Sequence, residues 1–221
     1  MNKIFVGYDS TQPESFDVCI HSLLPYEVTP LKLVDLPMYN RTDVNGSTEF
    51  SLTRFLVPYL SNYEGWSLFC DSDFLWLCDP MEVFDLCDDT CSVMVVKHDY
   101  IPKTDYKMNG KYQHKYPKKN WSSLMLFNNS KCTNLSPISV NQSLPSYLHQ
   151  FHWTSDECVG SLPTEYNWLV GYYSETETFK PKALHYTDSG PWHKHHTGSE
   201  YDSMWTSMYS EIHHNLAHAT S

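Results

Sequence analysis

The stretch WSLFCDSDFLWLCD, residues 66–79, runs five residues of buried-strand character into two carboxylates, Asp71 and Asp73, with Ser72 between them. The apolar run 66–70, bounded in front by Gly65, predicts a strand buried on both faces. In an open α/β sheet, ligands bind beyond the carboxyl ends of the strands, so the pair stands where a site should be. Residues two apart in extended backbone point the same way, and both carboxylates can therefore face one hard cation. Oxygen ligands suit Mn²⁺ or Mg²⁺, and such an ion can bridge the two phosphates of a nucleoside diphosphate. An Asp-x-Asp by itself is equally a solvated acidic turn. Its position behind a buried strand, inside an apolar flank, favours the site.

Outward from this strand, the chain reads as alternating strands and helices. Residues 3–8, KIFVGY, form a strand ending at Asp9. Residues 13–24, PESFDVCIHSLL, form a helix with Pro13 in its first turn and Ser10 or Thr11 as cap. Residues 31–36, LKLVDL, form a second strand. Strand, helix, strand is the opening of a parallel α/β sheet. A turn at Asn45-Gly46 precedes a helix over 50–60 that Pro58 bends or shortens. One or two helical turns follow over 79–86, with strands at 92–96 and 123–127, a helix over 145–152, and short strands at 166–170 and 182–186. A C-terminal helix over 199–218 carries Met204, Met208, Tyr209 and Ile212 on one face. Residues 99–121 are basic and Tyr-rich and read as a long exposed loop or lid. No repeat or linker interrupts the chain, so residues 1–221 are expected to form a single domain.

The composition narrows the function. A net charge of −11 over 221 residues speaks against general nucleic-acid binding, which needs a basic surface. The charge is segregated: residues 64–89 hold eight acids and no Lys or Arg, while residues 97–119 hold seven of the fifteen cations. Aromatic residues make up 15%, enough to fill a core and also to line a sugar or base site. The seven cysteines lack a paired spacing, and the Cys87–Cys91 pair has no second pair to complete a zinc site. No signal peptide or transmembrane run is legible, so a reduced, cytoplasmic protein is expected.

Six segments in order resemble glycosyltransferases of the GT-A fold, and family 8 in particular, which includes glycogenin-like and lipopolysaccharide sugar transferases. FVGYDS is similar to that family's first strand, SLTRFLVPYL to its Arg-bearing helix, and WSLFCDSDFLWLCD to its metal strand. SSLMLFNN, LPTEYNWL and ALHYTDSGPWH resemble its later strand, its LP…YN element and its C-terminal His-x-x-Gly-x-x-Lys-Pro-Trp element. The resemblance implies a mostly parallel Rossmann-like sheet with helices on both faces. It also implies a metal-dependent, retaining hexosyltransferase using a nucleotide-sugar, with UDP-sugar as donor. The acceptor would be a hydroxyl of a carbohydrate, a lipid-linked glycan or a protein.

The resemblance further assigns roles. Asp71, Asp73 and His185 would hold Mn²⁺ or Mg²⁺; two carboxylates and an imidazole favour Mn²⁺. Tyr8 and Asp9 would contact the base. Arg54 would bind a phosphate or orient Asp71 through its fork of N–H donors. Ser72, Gly190 and Trp192 fall within the donor elements. The family's phosphate-binding Lys is replaced at Gly190-Pro191-Trp192, with Lys194 or His193 as substitutes. Asp156 and Glu157 stand where the family has an Asp-Gln pair near the reacting sugar, so Glu157 would act as nucleophile, base or hydrogen-bond acceptor. Two rival readings remain. One is a phosphatase using the first Asp of its motif as nucleophile, which wants that motif on the first strand. The other is a non-enzymatic sugar- or metal-binding protein, which leaves Arg54 and the ordered motifs unexplained.

Overall fold

In the computed structural model, residues 2–42, 48–99 and 117–219 are described. Most of the expected basic loop and the Asn45-Gly46 turn fall outside them.

Strand β1 (Lys3–Gly7) leads through helix α1 (Pro13–Ser22) to strand β2 (Val28–Leu31), which pairs parallel with β1 from Ile4↔Val28. The second strand therefore starts three residues before the expected 31–36. Leu33–Asp35 instead forms a 3-10 turn, and Val34 is 87% exposed. β2 lies at the sheet edge, where Pro30, which has no N–H to donate, is tolerated. Helix α1 begins with Pro13 as expected, but Gln12 occupies the cap position and neither Ser10 nor Thr11 caps it.

The 50–60 segment is a 3-10 turn (Thr53–Leu56) followed by α2 (Val57–Leu60). Pro58 sits in the first turn of α2, where its missing N–H costs nothing, so it starts the helix rather than bending it. Then come β3 (Trp66–Cys70), β4 (Phe74–Trp76), α3 (Met81–Phe84), β5 (Val93–Val95), β6 (Leu124–Asn128), α4 (Pro137–Gln142), α5 (Pro145–His149), β7 (Val159–Ser161), β8 (Trp168–Leu169), β9 (Ala183–His185) and α6 (Asp202–Ala219).

The main sheet has the order β2-β1-β3-β6-β5-β7, with β6 running against its two neighbours and the other pairings parallel. It is thus the mixed, mostly parallel sheet the sequence predicts. The two-residue period of the strands sorts its side chains. Ile4, Val6, Leu68, Cys70, Leu124 and Leu126 pack with Phe16, Cys19 and Leu23 of the α1 segment on one face. Phe5, Phe69, Val95, Met125 and Phe127 pack on the other face with Phe55, Val57, Val140 and Leu148 of the helical segments. Each large apolar side chain so buried contributes roughly 1.5–3 kcal/mol.

A second sheet, β4-β9-β8, carries a smaller core of Leu75, Trp168 and Leu184 under α6. Trp205 on the helix and Tyr201 just before it are buried there, whereas Met204, expected on the apolar face, is 49% exposed. Among the described residues, no helix is long and apolar enough to cross a membrane. All seven cysteines are free.

Candidate metal-binding site

The turn Asp71–Ser72–Asp73 joins the two sheets, leaving β3 of the first and entering β4 of the second. Its start is pinned to the residue before β6, because the Asp71 N–H donates to the Ser123 carbonyl at 2.9 Å. Its end is pinned just past β9, because the Tyr186 N–H donates to the Asp73 carbonyl at 3.0 Å. The antiparallel register Phe74↔His185 then sets the imidazole beside the carboxylates. One ligand atom from each of Asp71, Asp73 and His185 lies within 4.8 Å of the others.

The hydrogen bonds around His185 define its tautomer. Ser123 Oγ donates to the Asn120 carbonyl at 2.7 Å, and Asn167 Nδ2 donates to Ser123 Oγ at 2.9 Å. The Asn167 oxygen is thereby turned to His185, where it accepts from Nδ1–H at 2.8 Å. This leaves the Nε2 lone pair facing Asp73 Oδ1 at 3.4 Å. Two acceptors at that distance call for a positive charge between them. Ligands of an octahedral ion with bonds near 2.1 Å stand about 3.0 Å apart on adjacent positions and about 4.2 Å apart on opposite ones, a range that brackets this separation. A hydrogen-bonded second nitrogen is also the usual setting of a metal-bound histidine. The donor set of two carboxylates and one imidazole fits Mn²⁺ or Mg²⁺.

Arg54 is buried between the Phe50 and Phe69 rings, with its guanidinium carbon 5.2 and 5.1 Å from their centroids. Its Nη1 reaches Asp71 Oδ1 at 2.7 Å and the Ser122 carbonyl at 2.8 Å. Its side chain therefore meets Asp71, one of the two partners expected for it. Beside it, His149 shares a 2.8 Å hydrogen bond with Ser122 Oγ. Burial, and next the Arg54 charge, push the His149 pKa down to about 3.

The remaining expected residues fall into three groups. Tyr8 and Asp9 stand just past the end of β1, at the same end of the sheet as Asp71, since β1 and β3 run parallel. The Tyr8 ring meets Phe16 edge-on at 5.0 Å, and Lys32 Nζ lies 4.7 Å from its centroid. Asp9 is buried, and its Oδ1 accepts from the Thr11 N–H at 2.9 Å and from its hydroxyl at 2.6 Å, a local turn. Ser72 is buried within the acidic turn.

The second group lies in the segment leading to α6. Trp192 lies against Tyr186 and Trp205 under α6, and its Nε1 donates to Gln12 Oε1 at 2.9 Å. Gly190 lies under that indole, and Lys194 is exposed. The third group, Asp156 and Glu157, is exposed on a 3-10 turn before β7. The Asp156 ion pair is with Lys118, at 2.6 Å, and that hydrogen bond holds its carboxyl below the usual range.

The chain matches no protein-family model. It is 42% identical over 223 residues to Protein CDI of Arabidopsis thaliana, covering 95% of this chain and 86% of that protein. The chain belongs to the Protein CDI family. Solved structures share the architecture of this CDI-family chain at low sequence identity. The apo glycosyltransferase GlyE of Streptococcus pneumoniae has a TM-score of 0.62 at 13% identity, covering 100% of this chain and 64% of that one. An active-site mutant of LgtC has a TM-score of 0.59 at 12% identity over 96% of both chains. The bifunctional glycosyltransferase WbbM has a TM-score of 0.58 at 13% identity. The CDI-family chain spans 51% of WbbM and less than two thirds of GlyE. These likenesses make the fold that of the GT-A glycosyltransferases.

In the CDI-family chain, sequence reading passed over Asn167, Ser123 and Ser122 as site residues. All three lie in segments already singled out, LPTEYNWL and SSLMLFNN, but their work is done by an amide, a hydroxyl and backbone carbonyls across sheet contacts. Buried Asn167, four residues after a proline, was the nearest thing to a signal.

Proposed function

We propose that this CDI-family chain is a metal-dependent glycosyltransferase. It moves a sugar, with retention, from a UDP-sugar to a hydroxyl of a carbohydrate, a lipid-linked glycan or a protein. The reading rests on one observation: two carboxylates and an imidazole from distant parts of the chain converge at the end of the central strand of a GT-A sheet. Asp71, Asp73 and His185 would hold Mn²⁺ or Mg²⁺, which when bound offsets the negative charge growing on the departing diphosphate. Arg54 orients Asp71 and adds positive charge behind it. Asn167 keeps the His185 proton on Nδ1, away from the ion. Tyr8 and Asp9 are placed at the strand end expected to meet the base. Asp156 and Glu157 are the acids for the sugar side, and there Lys118 keeps Asp156 ionised.

Calorimetric titration with UDP, with and without Mn²⁺, tests this. Metal-dependent binding supports the transferase, and Asp73→Asn abolishes it while leaving the fold intact. Turnover of an aryl phosphate without that binding favours a phosphatase. Indifference to the nucleotide leaves a simple binding protein.

A further inference from the structure

Trp121 precedes the two serines whose carbonyls hold Arg54 and Asp71, so its backbone leads into the supports of the acidic turn. Its indole is fixed: Nε1 donates to the His98 carbonyl at 3.0 Å, and the ring lies against Phe151 at 6.4 Å. His98 itself is buried, and its Nδ1 shares a 2.7 Å hydrogen bond with the Tyr173 hydroxyl. The indole nevertheless remains partly exposed. Two ammonium groups flank it, Lys97 Nζ at 5.8 Å and Lys118 Nζ at 5.7 Å from the ring centroid. Both act on the Asp156 carboxyl, which ties them to one patch.

We infer that Trp121, Lys97 and Lys118 form a subsite for a sugar ring bearing one carboxylate. The inference rests on the transferase reading and names the substrate class it would serve. An indole face packs on the C–H face of a pyranose, and a rigid ring loses little entropy in doing so. Lys118 is committed, donating to the Gln150 carbonyl at 3.0 Å and to Asp156 at 2.6 Å. Lys97 is exposed and makes no hydrogen bond or ion pair among the described residues, so its three donors are available. Of these three side chains, two lysines against one aspartate leave a single positive charge, which matches a carboxylate better than a dianionic phosphate. An uncharged hexose would use the indole and leave Lys97 idle.

Either substrate can bring the carboxylate, and the arms of the test separate them. With Mn²⁺ present, calorimetry compares UDP, UDP-glucose and UDP-glucuronate; with Mn²⁺ and UDP, it compares methyl glucoside and methyl glucuronide. A roughly tenfold preference for the charged member of either pair is expected, the size of one charge-assisted hydrogen bond. Preference in the first pair assigns the subsite to the transferred sugar, and in the second to the acceptor. Lys97→Gln then brings the preferred pair to parity, and Lys97→Arg keeps most of the difference. UDP binding without preference in either pair, or a preference that survives Lys97→Gln, overturns the subsite alone. No UDP binding at all overturns the transferase reading and the subsite with it.

Discussion

Phe74 and His185 face each other across β4 and β9 with their rings stacked, centroids 4.6 Å apart and planes 19° from parallel. The pairing settles where the imidazole stands relative to the acidic turn. A slip of one residue in this register would turn His185 to the opposite face of the small sheet. The stacked phenyl ring holds the imidazole from one side, and Asn167 holds it from its Nδ1 edge. The site is therefore assembled by strand pairing first and by side-chain hydrogen bonds second.

Asn167→Leu removes the acceptor that sets the His185 tautomer while keeping a similar volume. We expect Mn²⁺ affinity to fall by about ten- to a hundredfold, the usual effect of losing such a partner. UDP binding at fixed low Mn²⁺ falls with it and is restored by raising the metal concentration. Titration of Mn²⁺ in the presence of UDP measures both effects.

Arg54→Lys keeps a positive charge but not the fork that reaches Asp71 and the Ser122 carbonyl together. Breaking a buried pair outright costs about 3–5 kcal/mol, and the retained charge moderates that. A loss of roughly 2–3 kcal/mol in urea unfolding is expected. Unchanged stability would mean that the guanidinium contributes little where it lies.

Gly190→Ala tests whether the Trp192 indole needs bare backbone beneath it. A Cβ at position 190 would stand 2.0 Å from the ring, so the ring has to move. Overpacking of this kind costs about 1–3 kcal/mol. A lowered melting temperature with altered tryptophan fluorescence is the expected result, since the same indole packs on Trp205.

His98 and His149 set an acid limit on stability. Burial is the first cause in both, and each pKa is lowered to about 3 from an ordinary 6.5. Above pH 6.5 both are neutral whether folded or unfolded, and the fold has its full stability. As the pH falls toward 3, the unfolded chain takes up protons that the folded chain refuses, so stability is lost. At about pH 5 this amounts to about 2 kcal/mol for each histidine. Urea unfolding at about pH 7, 6 and 5 measures the decline, and His149→Gln should flatten it by about half.

Much of the site was legible in the residues alone. A buried strand run followed at once by Asp71 and Asp73 pointed to a candidate cation site at a strand end, and Arg54 among apolar neighbours pointed to an anionic partner. Element edges were less legible. LKLVDL alternates well enough for a strand, yet an edge position let the pairing begin at Val28 and left Val34 in solvent. β4 and β7, three residues each, carry too short a pattern to announce themselves. Lys194, expected near the diphosphate, is exposed.

The amino-acid order by itself determined the α/β class, the place of the acidic turn and the residue types able to grip a cation there, because these follow from local hydrophobic period and chemistry. The family resemblance had named His185 and an Arg54–Asp71 contact; only the tertiary structure decided that strand pairing brings His185 to the acidic turn and that Asn167 and Ser123 fix its tautomer. Those depend on strand register and on contacts between residues tens to more than a hundred positions apart, and local patterns carry no record of such distances.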